Sequence, residues 1–183
     1  HNVRPTAAQE YGYHAVAIDE HRPMFDVTLW RIFIPDDNSP DGQKTIAGNK
    51  ADYSARYEQR WFIGAHSDVG GGYDDNRLPD LTLNWMMAKA SALGLTFTHV
   101  IEPEAGNWHA PIHDSFEAFA GGVLTIWDKI LPGDQRNYRE IGRAPKEVTT
   151  VHDENGELWS INETIDDSVL LRVIEDNTYR PPN

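Results

Sequence analysis

One segment limits what this chain can be more than any other: Arg60-Trp61-Phe62-Ile63-Gly64-Ala65-His66-Ser67-Asp68-Val69-Gly70-Gly71-Gly72-Tyr73. Its apolar start reads as a buried strand that delivers a histidine at its carboxyl end. Three consecutive glycines follow, so the backbone there turns sharply without Cβ clashes. In open α/β sheets, catalytic groups gather on loops beyond the carboxyl ends of the strands. His66 therefore stands where a general base is expected, placed to take a proton from a hydroxyl nucleophile. Asp68 either braces the turn by accepting backbone N–H groups or faces the imidazole. A hydrogen-bonded strand-end histidine followed by an ordinary tight turn fits the same residues, and both readings stay open.

Periodicity and punctuation organise the rest. Tyr13 to Ile18 is a short apolar run ending at Asp19-Glu20, consistent with a buried strand, and Val27 to Pro35 reads as a second extended piece. Asp36 to Ala51, with its Pro, Gly, Asn and Asp, reads as an exposed loop. Asp80 is the expected N-cap of a helix that aligns Leu81, Trp85, Ala88, Ala92 and Leu95, with Gly94 as its left-handed stop. Phe116, Phe119, Ala120, Val123, Leu124 and Trp127 form another helix-period set, weakened by Gly121-Gly122. Val148 to Ile161 reads as a hairpin about Asn155-Gly156, and Ser168 to Ile174 as a last short helix capped by Asp166 or Asp167. Strands alternating with an amphipathic helix favour α/β over an all-β sandwich. So short a sheet leaves open edges and uncovered faces, so further strands are expected upstream of residue 1.

Composition removes several function classes. The chain of 183 residues carries 29 acidic side chains against 16 Lys+Arg, a formal net charge of −13. That excess argues against nucleic-acid binding and against a polybasic membrane anchor. There is no cysteine, which excludes disulfides, thiolate zinc sites and Cys nucleophiles. No apolar run approaches the ~18 residues of a membrane span, and the opening His1-Asn2-Val3-Arg4-Pro5 does not read as a signal peptide. Residence in the cytoplasm or secretion by a non-classical system are both compatible with this.

The nucleophile is the missing part. No serine lies in G-x-S-x-G, the strained elbow that presents a hydroxyl above an α/β sheet, and Ala65 occupies the first glycine position before Ser67. A base without its nucleophile cannot run acyl transfer. Asp19 ends a strand, which suits a carboxylate that orients an imidazole; the plainer reading pairs Asp19 or Glu20 with Arg22 in a structural ion pair. His109 and His113 flank Pro111, which prevents the helical geometry of an H-E-x-x-H zinc site. Gly70-Gly71-Gly72 lacks the Lys-Ser/Thr of a phosphate-binding loop, so no cofactor is expected.

With these residues in view, the chain resembles the C-terminal part of an α/β-hydrolase family. Its best-known members are the class-one type VI secretion phospholipase effectors, alongside uncharacterised bacterial and fungal proteins. The resemblance is carried by Tyr13-His14-Ala15-Val16-Ala17-Ile18-Asp19-Glu20-His21-Arg22, by Phe25 and Leu29-Trp30, by the Arg60 to Tyr73 segment and by Leu78 to Leu95. His113-Asp114-Ser115, Ser168-Val169 and Tyr179-Arg180-Pro181 extend it. It implies a Ser-Asp-His hydrolase that cleaves esters, in some members those of phospholipids. It also implies a single partial domain over residues 1–183: a portion of an α/β-hydrolase-like sheet with flanking helices and a late β-hairpin. Carried over, His66 matches the catalytic histidine; the nucleophile elbow, and with it the triad acid, belong to the N-terminal part of the same domain, with Asp19 as the acid available within this chain. The rival reading is a non-catalytic module that keeps the fold and docks a carrier or delivery protein. A third is a metal-dependent module using His66, Asp68 and the His109/His113 region.

Overall fold

The computed structural model describes residues 5–6, 8–35, 39–119, 129, 131, 133, 135–139, 141 and 156–181. In chain order its strands are β1 (Gly12–Ala17), β2 (Arg31–Pro35), β3 (Tyr57–Phe62), β4 (Gly156–Ser160) and β5 (Glu163–Ile165). Its helices are α1 (Pro40–Arg56), α2 (His66–Gly70), α3 (Arg77–Ala92), α4 (Ser115–Ala118) and α5 (Asp167–Glu175), with 3₁₀ turns at Pro23–Phe25 and Asn107–His109. Strands β1, β3 and β5 form a sheet in the order β1-β3-β5, while β2 and β4 pair antiparallel with Arg31 opposite Ser160 and Pro35 opposite Gly156. The bonds from Ile18 N–H to the Phe62 carbonyl and from Asp19 N–H to the Gly64 carbonyl climb both chains together, the mark of a parallel ladder. Mixed helices and a parallel sheet place the chain in the α/β class.

The structure falls into two compact units. The first takes in the described residues within 1–14, 28–59 and 141–164. Here Ile32, Tyr57 and Ile161 are buried, with Trp30, Tyr53 and Trp159 packed against them. Gln59, fully buried, satisfies its amide completely: Oε1 accepts from Trp30 N–H at 2.6 Å, and Nε2 donates to the carbonyls of Trp30 at 3.1 Å and Ile161 at 2.8 Å. A buried polar group is tolerated when its partners are supplied in this way.

In this unit the expected loop over 36–51 is overturned from residue 40 onward by α1. Ser39 Oγ accepts the Gly42 N–H at 3.0 Å, Pro40 sits at the first helical position, and Asp41 and Arg56 lie at the ends that the helix dipole favours. The cap contributes about 1 kcal/mol. The proline and the aspartate that suggested a loop are start signals. Residues 36–38 and the first half of the expected hairpin, 148–155, lie outside the described residues.

The second unit takes in the described residues within 15–27, 60–140 and 165–183 and holds the larger apolar core: Val16, Ile18, Trp61, Phe62, Ile63, Leu78, Trp85, Phe116 and Val169 are all buried. Burial of each large side chain stabilises the fold by about 1.5–3 kcal/mol. Phe62 meets Trp85 edge to face with ring centroids 5.4 Å apart, which fixes α3 against β3. The helix begins one turn earlier than expected, with Asn76 at the N-cap position making no side-chain capping bond and Asp80 inside its first turn. Its inner face is Leu78, Thr82 and Trp85, whereas Ala88, Ala92 and Leu95 are exposed. Gly94, at φ +95°, stops it as expected. Asp166 caps α5 through Ser168 N–H at 3.0 Å. Of the expected second helix set, Phe116 is buried on α4, and Ala120, Val123, Leu124 and Trp127 lie outside the described residues.

Candidate active site

The site is built within the second unit, where β1 and β3 end side by side. Three carboxylates there grip the backbone that carries His66. Asp19 Oδ2 accepts the Gly64 N–H at 2.7 Å and the Tyr179 hydroxyl at 3.0 Å. Glu20 Oε2 accepts the His66 N–H at 3.2 Å. Asp68 Oδ2 accepts the Ala65 N–H at 2.9 Å, closing the first turn of α2 from inside. Backbone N–H groups at a turn need acceptors, and here each of three successive residues has a charged one.

Gly64 makes this possible. Its φ is +105°, which L side chains rarely adopt, and a Cβ there would sit 2.3 Å from the Asp68 Cβ. The chain therefore passes directly over Asp68.

Glu20 is fully buried and saturated. Its other bonds come from Arg22 (backbone N–H 3.0 Å, Nε 2.8 Å, Nη2 2.7 Å) and from the Ser115 hydroxyl at 2.9 Å. Burial works to raise its pKa, but these donors, led by the Arg22 side chain, outweigh it and hold the carboxyl at about 2. The ion pair expected of Asp19 or Glu20 with Arg22 is made by Glu20. Asp19 behaves oppositely: desolvation by burial pushes its pKa up, only partly offset by the Gly64 N–H and the Tyr179 hydroxyl.

His66 itself is exposed. Its ring meets Phe25 edge to face at 5.6 Å, and neither ring nitrogen makes a hydrogen bond or ion pair among the described residues. Asp19 reaches the His66 turn through Gly64 and not through the imidazole. Asp68 takes the bracing role of its two expected alternatives, and the imidazole it holds belongs to His113: Oδ1 lies 2.6 Å from His113 Nδ1, and Oδ2 accepts the His113 N–H at 3.1 Å. Tyr73, just past the glycines, stacks on the His113 ring at 3.7 Å and 18°. Sequence reading gave His113 a place in the resemblance and a role only in metal binding, with His109 or in a module with His66 and Asp68. Instead His109 pairs with Glu175 at 2.6 Å, and among the described residues no group of three His, Asp or Glu side chains is arranged to hold a metal ion. Glu20 and Tyr179 carried no sequence signal for these roles, because their partners lie 46 and 160 positions away.

A cavity of about 350 Å³ adjoins this network, lined among others by Asp19, His21, His113, Asp114, Arg136 and Arg180. Among the described residues no helix is long and apolar enough to cross a membrane.

Over 44 residues the chain is 43% identical to an uncharacterised protein of Saccharomyces cerevisiae, a stretch covering 21% of this chain and 6% of that protein. No solved structure matches the chain. Residues 1–89, which include Asp19, Glu20, His66 and Asp68, match the family described as T6SS, Phospholipase effector Tle1-like, catalytic domain, the family that the sequence was found to resemble.

Proposed function

We propose that this chain supplies the general base of a serine ester hydrolase acting on phospholipid-type esters, and that it is the C-terminal part of an α/β-hydrolase-like domain. The supporting observation is an exposed imidazole with both nitrogens uncommitted, on a turn whose backbone is held by Asp19, Glu20 and Asp68. Such a ring is positioned without being consumed by structural bonds, as a proton carrier requires. His66 would take the proton of a serine hydroxyl as the oxygen attacks the ester carbonyl, then return it to the departing alcohol. In the second half-reaction it would take a proton from water, which attacks the acyl-serine and frees the acid. The chain holds no G-x-S-x-G, so the serine is assigned to polypeptide outside these 183 residues. Asp19 is assigned as the positioning carboxylate within the chain, acting through Gly64. The phospholipid class of substrate rests on the family match of residues 1–89.

The test is His66→Ala in the intact protein that carries this chain. Ester hydrolysis should fall by about 10²–10⁴-fold while the circular dichroism spectrum and unfolding midpoint stay unchanged, and added imidazole should restore part of the rate. Full activity in that variant would remove His66 from the reaction.

A further inference from the structure

The hydroxyl that Asp19 accepts comes from the far end of the chain, and the local structure around it serves to deliver that one group. Past α5 the backbone folds back at Asp176, whose Oδ1 accepts the Thr178 N–H at 2.9 Å and the Thr178 hydroxyl at 2.6 Å. The Tyr179 N–H donates to the Asp176 carbonyl at 3.1 Å. Arg180 closes the turn, donating from Nη1 to the carbonyls of Tyr179, Asp176 and Val173 at 2.7, 3.3 and 3.4 Å. On α5, the Arg172 guanidinium lies over the Tyr179 ring, 5.1 Å from its centroid. Its Nη1 donates to the carbonyls of Trp108 at 2.8 Å and Ala110 at 2.7 Å. The buried ring is thus gripped across its face and through its backbone, and its hydroxyl reaches Asp19 Oδ2 at 3.0 Å.

That oxygen is the same one that accepts the Gly64 N–H, at 2.7 Å, two residues before His66. The other carboxylate oxygen of Asp19 makes no hydrogen bond among the described residues. The terminal torsion of an aspartate is broad, so one donor alone does not fix its direction. A second donor on the same atom does. Both donors also favour the ionised carboxylate, the stronger acceptor, against the burial that raises its pKa. Burial and the neighbouring Asp19 charge push the phenol's own pKa up, so Tyr179 keeps the proton that it donates.

We propose that Tyr179 is a positioning residue: through Asp19 Oδ2 it fixes the Gly64 N–H, and with it the turn that carries His66. The C-terminal segment is therefore a working part of the site and not a trailing end. The benefit to ester hydrolysis rests on the reading of His66 as the base; the hold on the turn does not.

The test replaces Tyr179 by phenylalanine in the intact protein, which keeps the ring beneath Arg172 and removes the hydroxyl alone. Amide hydrogen exchange is measured at Gly64 and, for comparison, at Ile18 and Asp166, whose N–H groups bond the β3 carbonyls of Phe62 and Trp61. Ester hydrolysis is followed across substrate concentration in parallel. In Tyr179→Phe, exchange at Gly64 should quicken by about tenfold while Ile18 and Asp166 keep their wild-type rates. The ¹H–¹⁵N signals of Gly64 and His66 should move, and kcat should fall by about tenfold at constant KM. Unchanged exchange at Gly64 overturns the proposal. So does equal quickening at all three amides, which is the mark of a general loss of stability, and so does an unchanged kcat in a protein that His66→Ala inactivates. If His66→Ala keeps full activity, the hydrolase reading falls, and exchange at Gly64 still decides whether Tyr179 holds the turn.

Discussion

Asp68 joins two histidine-bearing segments 45 residues apart: one carboxylate oxygen lies 2.6 Å from His113 Nδ1, and the other accepts the backbone N–H groups of Ala65 and His113. With 1% of its surface exposed, this side chain has no access to water, so it and those donors supply one another's hydrogen-bond partners. Removing it strips the buried Ala65 N–H of its acceptor and releases the His113 ring. Asp68→Ala should therefore lower stability by about 2–4 kcal/mol, read from urea unfolding. Asp68→Asn, which keeps an acceptor but loses the charge, should fall between. A wild-type midpoint for Asp68→Ala would mean that the contact with His113 is incidental.

Gly64 offers a sharper probe of the same turn, because geometry forbids any side chain there. Gly64→Ala sets a Cβ 2.3 Å from the Asp68 Cβ at a φ of +105°, whereas at Gly71, φ +84°, an added Cβ meets nothing within 4 Å. Backbone strain is common to both; the collision belongs to Gly64 alone. Gly71→Ala should cost about 1–2 kcal/mol and Gly64→Ala about 3 kcal/mol or more. The two are compared by chemical unfolding, and equal losses would show that Asp68 moves aside freely.

How much of this was legible follows from where each signal lies. The strand of Tyr13 to Ile18 and the Trp61-Phe62-Ile63 run announce themselves by apolar continuity, and β1 and β3 lie there. The first half of β3 does not, because Glu58 and Gln59 look like surface; only tertiary partners, Thr164 for Glu58 and Trp30 with Ile161 for Gln59, make them core residues. On α3 the visible apolar spacing of Leu81 with Trp85 was real but slightly rotated from the buried stripe, since Thr82 packs inward and Ala88 outward. The site divides the same way. A histidine at a strand end before three glycines can be read locally, whereas the pairing of Asp68 with His113 cannot, because no local rule links residues on separate segments.

The acid limb of the stability curve should carry the signature of Glu20. Its pKa stands at about 2 in the folded protein against an ordinary 4.5, so its contribution is complete above pH 4.5 and is lost as pH falls from there through 2. For a buried carboxylate the shift corresponds to about 3 kcal/mol. Glu20→Gln should be destabilised at pH 7, where Arg22 loses its charged partner, and should converge on the wild type as the pH approaches 2. Unfolding free energies measured across that range check this, and a constant offset between the two proteins would contradict it.

Asp19, the next residue back, should do the reverse. Burial holds its pKa above the ordinary 3.8, so it favours the folded state most when protonated, below 3.8, and that favour is lost as pH rises through its folded value. Ionisation of this carboxyl therefore works against the fold, although its oxygen is needed by Gly64 and Tyr179. Asp19→Asn keeps an amide oxygen for both donors and removes the charge, so its stability at pH 7 should equal or exceed that of the wild type. In the role proposed above Asp19 acts on His66 through the Gly64 backbone, and a neutral amide oxygen grips that N–H less firmly than a carboxylate does. Ester hydrolysis by Asp19→Asn should accordingly drop in kcat more than in KM. A variant that is stable and fully active would separate Asp19 from the role proposed for His66 and leave it as a strap between Gly64 and Tyr179.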